Sequence, residues 1–181
     1  MIKNLFILLW VLLGCSLEMS PQQPSTYAVF ALVNYNQDKI DLIHQGMNDA
    51  LEYFEFDTLE EEAKKNPDPQ SFLDLILWRY HRVMSKLNFA SARVALENAD
   101  ILSNAQVGND VEPIVMEQGI AKYTDMTNFF IDNALIYEEQ YEKEFGGLLI
   151  IYGELLSLLI QLDNDFLSNY GVSPEPPFIL E

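Results

Sequence analysis

The chain has 181 residues, with 28 acids against 10 Lys and Arg, a formal net charge of −18 and 49% hydrophobic residues. Such a surface argues against nucleic-acid binding, which requires phosphate neutralisation by Lys and Arg, and against adsorption to anionic headgroups by charge. One cysteine allows no intrachain disulfide, although small exported domains often rely on them.

Leu5 to Leu13 is an uninterrupted apolar run behind Lys3. It is too short for a helix to span a bilayer, which takes about twenty residues, and it fits the hydrophobic region of a secretory signal, with Gly14 as the small residue at the cut. The tetrapeptide Leu12-Leu13-Gly14-Cys15 resembles the bacterial lipobox, the cleavage site of lipoprotein precursors. The resemblance implies a diacylglyceryl group on the Cys15 thiol, cleavage after Gly14, and acylation of the new amino group by a fatty acid such as palmitate. It places the protein in a bacterial cell envelope, held by its first residue. No Asp follows Cys15, which in a Gram-negative cell favours the outer membrane. The alternative is a plain secretory signal and a freely secreted protein. No Asn-X-Ser/Thr acceptor occurs in the chain, which fits a bacterial origin.

Residues 1–14 thus read as signal peptide and 15–24 as lipidated cysteine and tether, with Pro21 and Pro24 in the tether. The nine residues after Cys15 extend to about 30 Å at most. One helical domain follows over 25–171, then a Pro-rich tail, 172–181. About 157 residues after the tether suffice for one domain. Without residues 1–14 the chain keeps nine basic residues against 28 acids, a formal charge of −19.

From Ser25 onward apolar residues recur at helical spacing, and Gly and Pro concentrate at a few breaks. A first helix is predicted from Ser25 to Lys65, with Ile40, Ile43, Met47, Leu51 and Phe54 on one face and Asn34-Tyr35-Asn36 as its weakest stretch. A second begins with Asp68 as N-cap and Pro69 at the first position, burying Leu73, Leu77, Tyr80, Met84, Leu87 and Val94. A third, Val111 to Phe145, carries a seam at Met116, Ile120, Tyr123, Thr127, Phe130, Ala134, Tyr137 and Tyr141. Gly146-Gly147 is predicted to turn the chain into a fourth, Leu148 to Asn169, with one kinked rod as the alternative because the seam nearly keeps its phase across the two glycines. There Leu148, Tyr152, Leu155, Leu159, Leu162 and Phe166 are inward, and Glu154, Ser157, Gln161 and Asn164 form a narrow polar stripe. So apolar a helix is either the centre of the bundle or a contact surface.

The expected fold is all-α, an up-and-down antiparallel bundle of about four long helices. Tetratricopeptide-like hairpin repeats are the alternative, suggested by Asn88-Phe89, Ala92, Leu96 and Ala99 and by Ala50, Ala92 and Ala134 at equal intervals. Those repeats use helices near a dozen residues long, which favours the bundle.

No catalytic constellation is found. There is no Glu-X-X-His pair, and the bundle register separates His44 from His81 by about 15 Å. There is no Gly-X-Ser-X-Gly elbow. Asp163-Asn164-Asp165 resembles the start of a calcium loop but continues with Leu167 and Ser168 where a ligand and the turn glycine belong. The chain is therefore expected to be a non-enzyme without cofactor or metal.

Two features could bind. Arg79, Arg82, Lys86 and Arg93 form a basic stripe, which could dock an acidic partner or pair with acids such as Glu138, Glu139 and Glu142. The tail group Phe178-Ile179-Leu180 is expected to dock back on the bundle, with presentation as a peptide ligand the alternative. The reading is a lipid-anchored exported protein acting through protein contacts as scaffold, adaptor or assembly partner, with homo-oligomers allowed. One alternative is a carrier of a small apolar ligand between helices, lined by Tyr123, Tyr137, Tyr141 and Tyr152. The other is membrane insertion from Gly146-Gly147 onward, opposed by Glu154.

Overall fold

A computed structural model of the chain describes residues 25–105 and 111–174. Cys15, the tether and Phe178-Ile179-Leu180 lie outside the described residues. Within them the structure is an all-helical bundle without strands: α1 Thr26–Phe54, α2 Phe56–Ala63, α3 Pro69–Asn104, α4 Pro113–Tyr152 and α5 Glu154–Ser168.

The helix starts follow local chemistry. Ser25 Oγ accepts the Ala28 N–H at 3.3 Å. Asp68 accepts both the backbone N–H of Ser71 at 3.2 Å and its hydroxyl at 2.6 Å. Pro69 then fills the first turn of α3, where its missing N–H costs nothing. After α5, Gly171 adopts φ 73°, and the N–H groups of Val172 and Gly171 return to the carbonyls of Leu167 and Ser168. This is the Schellman pattern, sealed by the buried pair Leu167 and Val172.

The first predicted helix is two. Glu55 takes φ 34°, a left-handed conformation that ends α1 and starts α2. The bend lets Phe54 and Phe56 both reach Tyr80, at 5.7 and 5.0 Å between ring centroids. No break occurs at Asn34-Tyr35-Asn36. Asn36 points into the core, and its Oδ1 accepts the Lys39 ammonium at 3.1 Å.

Cross-helix contacts fix the directions. Asn98 donates to the Val33 carbonyl at 3.2 Å while Phe54 lies on Tyr80, so α1 and α3 are antiparallel. Leu102 lies by Gly119, Tyr80 by Tyr137 and Trp78 by Phe145, so α4 descends along α3. Arg79 meets Asp163 and Arg82 meets Asn164, so α5 rises again. The order is down-up-down-up, an up-and-down bundle, with α2 a short element at the first turn.

The central helix is α3, not the last one. It packs on each of the others, and its buried Ser85, Ala90, Ser91, Ala92, Ala95 and Ala99 are small enough for α1 and α4 to approach closely. Ala50, Ala92 and Ala134 are all core positions, on helices far too long for a tetratricopeptide-like repeat.

Gly146 and Gly147 do not turn the chain. Leu148 is buried beside Leu75, Trp78, Leu156 and Ile160, and holding it there carries α4 on to Tyr152. The break falls at Gly153, with φ 48° and ψ −121°, and the helix direction bends by 116° across it. No single described helix is long and apolar enough to cross a membrane, although this bent pair passes the same test together.

Candidate functional site

The lower end of the bundle, where α4 folds into α5, gathers both charged and apolar candidates. Asp163 is fully buried. Arg79 donates to its Oδ1 from Nη2 at 2.7 Å and from Nε at 3.2 Å, and also from Nη2 to the Tyr53 hydroxyl at 3.1 Å. The Arg82 Nη1 stands 3.8 Å from Asp163 Oδ2, and its Nη2 donates to Asn164 Oδ1 at 2.8 Å. Burial pushes the Asp163 carboxyl above its ordinary range, with the guanidiniums of Arg79 and then Arg82 pulling the other way. A carboxylate in this position needs such partners, because removing one leaves an uncompensated buried charge.

The four predicted basic residues are therefore not one surface. Arg79 and Arg82 turn inward to α5, Lys86 is half-buried, and Arg93 is exposed beside Leu96, Glu97 and Asp100. The acid that holds the arginines is Asp163, and Glu139 pairs with Lys143 at 2.8 Å. Sequence reasoning named Asp163 and Asn164 only as a broken calcium-loop start and, for Asn164, as part of an outward polar stripe, and it missed their pairing with Arg79 and Arg82. Their signal was two adjacent polar side chains inside an otherwise apolar helix.

Fixing Asp163 and Asn164 inward rotates α5 by one position from the predicted face. Leu156, Ile160 and Leu167 are buried with them. Leu155, Leu158 and Leu162 are exposed instead, Leu158 at 65%. Successive steps of three and four put these leucines in one ridge. Glu154, Gln161 and Asp165 form the row beside it, Gln161 donating to Asp165 at 2.9 Å. Just before the bend, Ile150 is 87% exposed and Ile151 is also in water.

A second feature is a groove of about 330 Å³ over α3 between α1 and α4, lined by His44, Met47, Met84, Phe130, Asn133 and Tyr137, among others. His44 rests on Phe130 at 5.1 Å. Of the four tyrosines expected around a cavity, only Tyr137 lines it. Tyr123 donates to Gln37 at 3.1 Å, and Tyr141 and Tyr152 pack at the lower cluster.

His81 is half-buried against the rings of Tyr80 and Tyr137 at 5.8 and 5.9 Å, with its Nδ1 lacking a hydrogen-bond partner. Burial lowers its pKa and raises that of Tyr80 to about 12. No group of three or more His, Cys, Asp or Glu that could hold a metal ion occurs among the described residues.

No family model, curated protein or solved structure matches this chain.

Proposed function

We propose that this chain is a lipid-anchored, exported helical rod that acts through protein contacts, tethered at Cys15 and offering the α4–α5 elbow to a partner. The lipobox-like Leu12-Leu13-Gly14-Cys15 supports the anchor. The observation that carries the contact is the ridge of Leu155, Leu158 and Leu162 with Ile150 and Ile151, left in water on a helix whose other face is locked by Asp163.

The rim selects the kind of partner. Glu154 and Asp165 flank the ridge, and the whole chain is acidic. A second copy pairing antiparallel through α5 would bring Glu154 beside Asp165, a repulsive arrangement. A bilayer would have to bury or skirt both carboxylates. An amphipathic helix of another protein, apolar along its centre and basic along its edges, meets neither penalty.

The experiment replaces Leu158 with a photo-crosslinking amino acid in the native cell envelope, with Leu42 on α1 as a control position. A specific adduct at 158 that disappears on Leu162→Glu supports the reading. The same adducts from both positions, or none, reject it. The anchor is tested by the intact mass of the membrane-recovered protein beside Cys15→Ala. Residues 15–181 plus a diacylglyceryl group are expected, and an unmodified soluble chain would mean a secreted protein.

The groove between α1 and α4 favours a second reading, a carrier, since about 330 Å³ is within the size of small-molecule sites. Native mass spectrometry of gently purified protein would show a bound small molecule under that reading and bare protein otherwise.

A further inference from the structure

We propose that the first three turns of α1 lie against the membrane, as a neutral, tyrosine-bearing contact at the end of the rod opposite the elbow. This rests on the lipid-anchor reading, since the anchor is what brings this end to a bilayer.

The charge pattern is the first support. Ser25 to Gln37 contains no charged residue, in a chain with 38 Asp, Glu, Lys and Arg among 181. The stretch is not simply core. Val29, Val33 and Asn36 are buried, while Tyr27, Leu32, Asn34 and Tyr35 are exposed, Tyr27 at 84%. Tyrosine has an apolar body and a polar tip, which suits the headgroup level of a bilayer.

The surroundings limit the contact to this edge. Glu97 and Asp100 on α3, Glu112 just before α4 and Glu117 on α4 are exposed near the same end. Between the start of α1 and the end of α3, by contrast, an apolar groove of about 240 Å³ is lined by Ala28, Val29, Leu32, Ile101 and Ala105, with Asn104. The neutral surface of α1 therefore continues into this groove. With acids close by, zwitterionic lipid suits the contact better than anionic lipid.

Reach is the second support. The chain before Ser25 leaves nine residues after Cys15, about 30 Å when fully extended. The elbow lies a further helix length away, since the 29 residues of α1 measure about 43 Å. An anchor at Cys15 thus brings Tyr27 to the bilayer more readily than Ile151.

Tryptophan fluorescence tests this directly. Once Trp10 is removed with the signal, Trp78 is the sole tryptophan, 1% exposed in the lower cluster. The chain 15–181 is coupled through its only thiol, Cys15, to maleimide lipid in phosphatidylcholine vesicles containing brominated lipid. Separate samples carry Tyr27→Trp, Tyr35→Trp or Ile151→Trp. The expected result is about twofold quenching of the emission that Tyr27→Trp or Tyr35→Trp adds to that of Trp78, with a blue shift, Ile151→Trp and native Trp78 unaffected, and a weaker effect with anionic lipid. Unquenched Tyr27→Trp on a coupled protein overturns the proposal. Quenching of Ile151→Trp alone overturns it in favour of an elbow that faces the membrane. Chemical coupling makes this readout independent of natural acylation, whose failure shows only in the intact mass.

Discussion

The ring of Tyr170 occupies the space beside Gly46 where a β-carbon would stand, 2.6 Å from such an atom to Cγ. Its hydroxyl donates to Asp49 at 2.7 Å, and its ring lies 5.1 Å from Phe166. The end of α5 is thereby seated on α1, and burial, with the Asp49 carboxylate, pushes the Tyr170 pKa up to about 12. Gly46→Ala gains about 1 kcal/mol of helix propensity but drives the ring from this seat. Overpacking of that kind costs about 1–3 kcal/mol. A lower denaturant midpoint is expected for Gly46→Ala, and a smaller loss for Tyr170→Phe, which keeps the ring.

Two glycines six residues apart respond with opposite sign. Gly147 is helical with open space around its Cα, so Gly147→Ala is expected to stabilise by about 1 kcal/mol. Gly153 sits at φ 48° and ψ −121°, and a side chain there is strained by about 1–3 kcal/mol. Thermal melts of Gly147→Ala and Gly153→Ala, run side by side, should move in opposite directions. Equal stabilisation would place the turn elsewhere.

Asp163→Asn keeps the shape of the side chain and removes its charge, leaving Arg79 and Arg82 side by side in the interior. Breaking a buried pair from one side costs about 3–5 kcal/mol. Equilibrium unfolding should show a loss well above that of Asp165→Asn, whose carboxylate is exposed.

His81 carries a pH signature. Burial lowers its folded pKa below the usual 6.5, so below that value the unfolded chain takes up the proton more readily than the folded one. Its contribution is neutral above the unfolded pKa, and stability is lost as pH falls through 6.5 towards the folded value. Replacing it by Gln should shrink the drop in Tm between about pH 7.5 and 5.5 relative to the parent chain. An unchanged drop would assign that pH dependence to other groups.

The sequence made some parts of this molecule readable and hid others, for physical reasons. Asp68 and Pro69 announce α3 because caps act within one turn. The seam of Met116, Tyr123, Thr127, Phe130 and Ala134 is legible because α4 buries one narrow stripe. The central role of α3 was hidden. Its inner faces use Ser and Ala to allow close approach, and hydropathy does not register small size as burial. The face of α5 was misjudged because Asp163 and Asn164 count as polar until Arg79 and Arg82 are seen opposite them. The break at Glu55 escapes propensity altogether, since a left-handed glutamate is set by packing of Phe54 and Phe56 on Tyr80. Among the candidate residues, Arg79 and Arg82 were identifiable by spacing, but their inward direction depends on a helix more than eighty residues away.

Because α1, α2, α4 and α5 all rest on α3, the molecule has a spine. No outer helix can leave without baring part of it, yet α3 can stay covered on one side while another opens. Amide protons along Val83 to Ala99 should then exchange with solvent only when the entire chain unfolds, whereas α2 and the outward rim of α4 exchange through smaller openings. A rod built in this way can loosen locally at a site of contact while its long axis keeps its length.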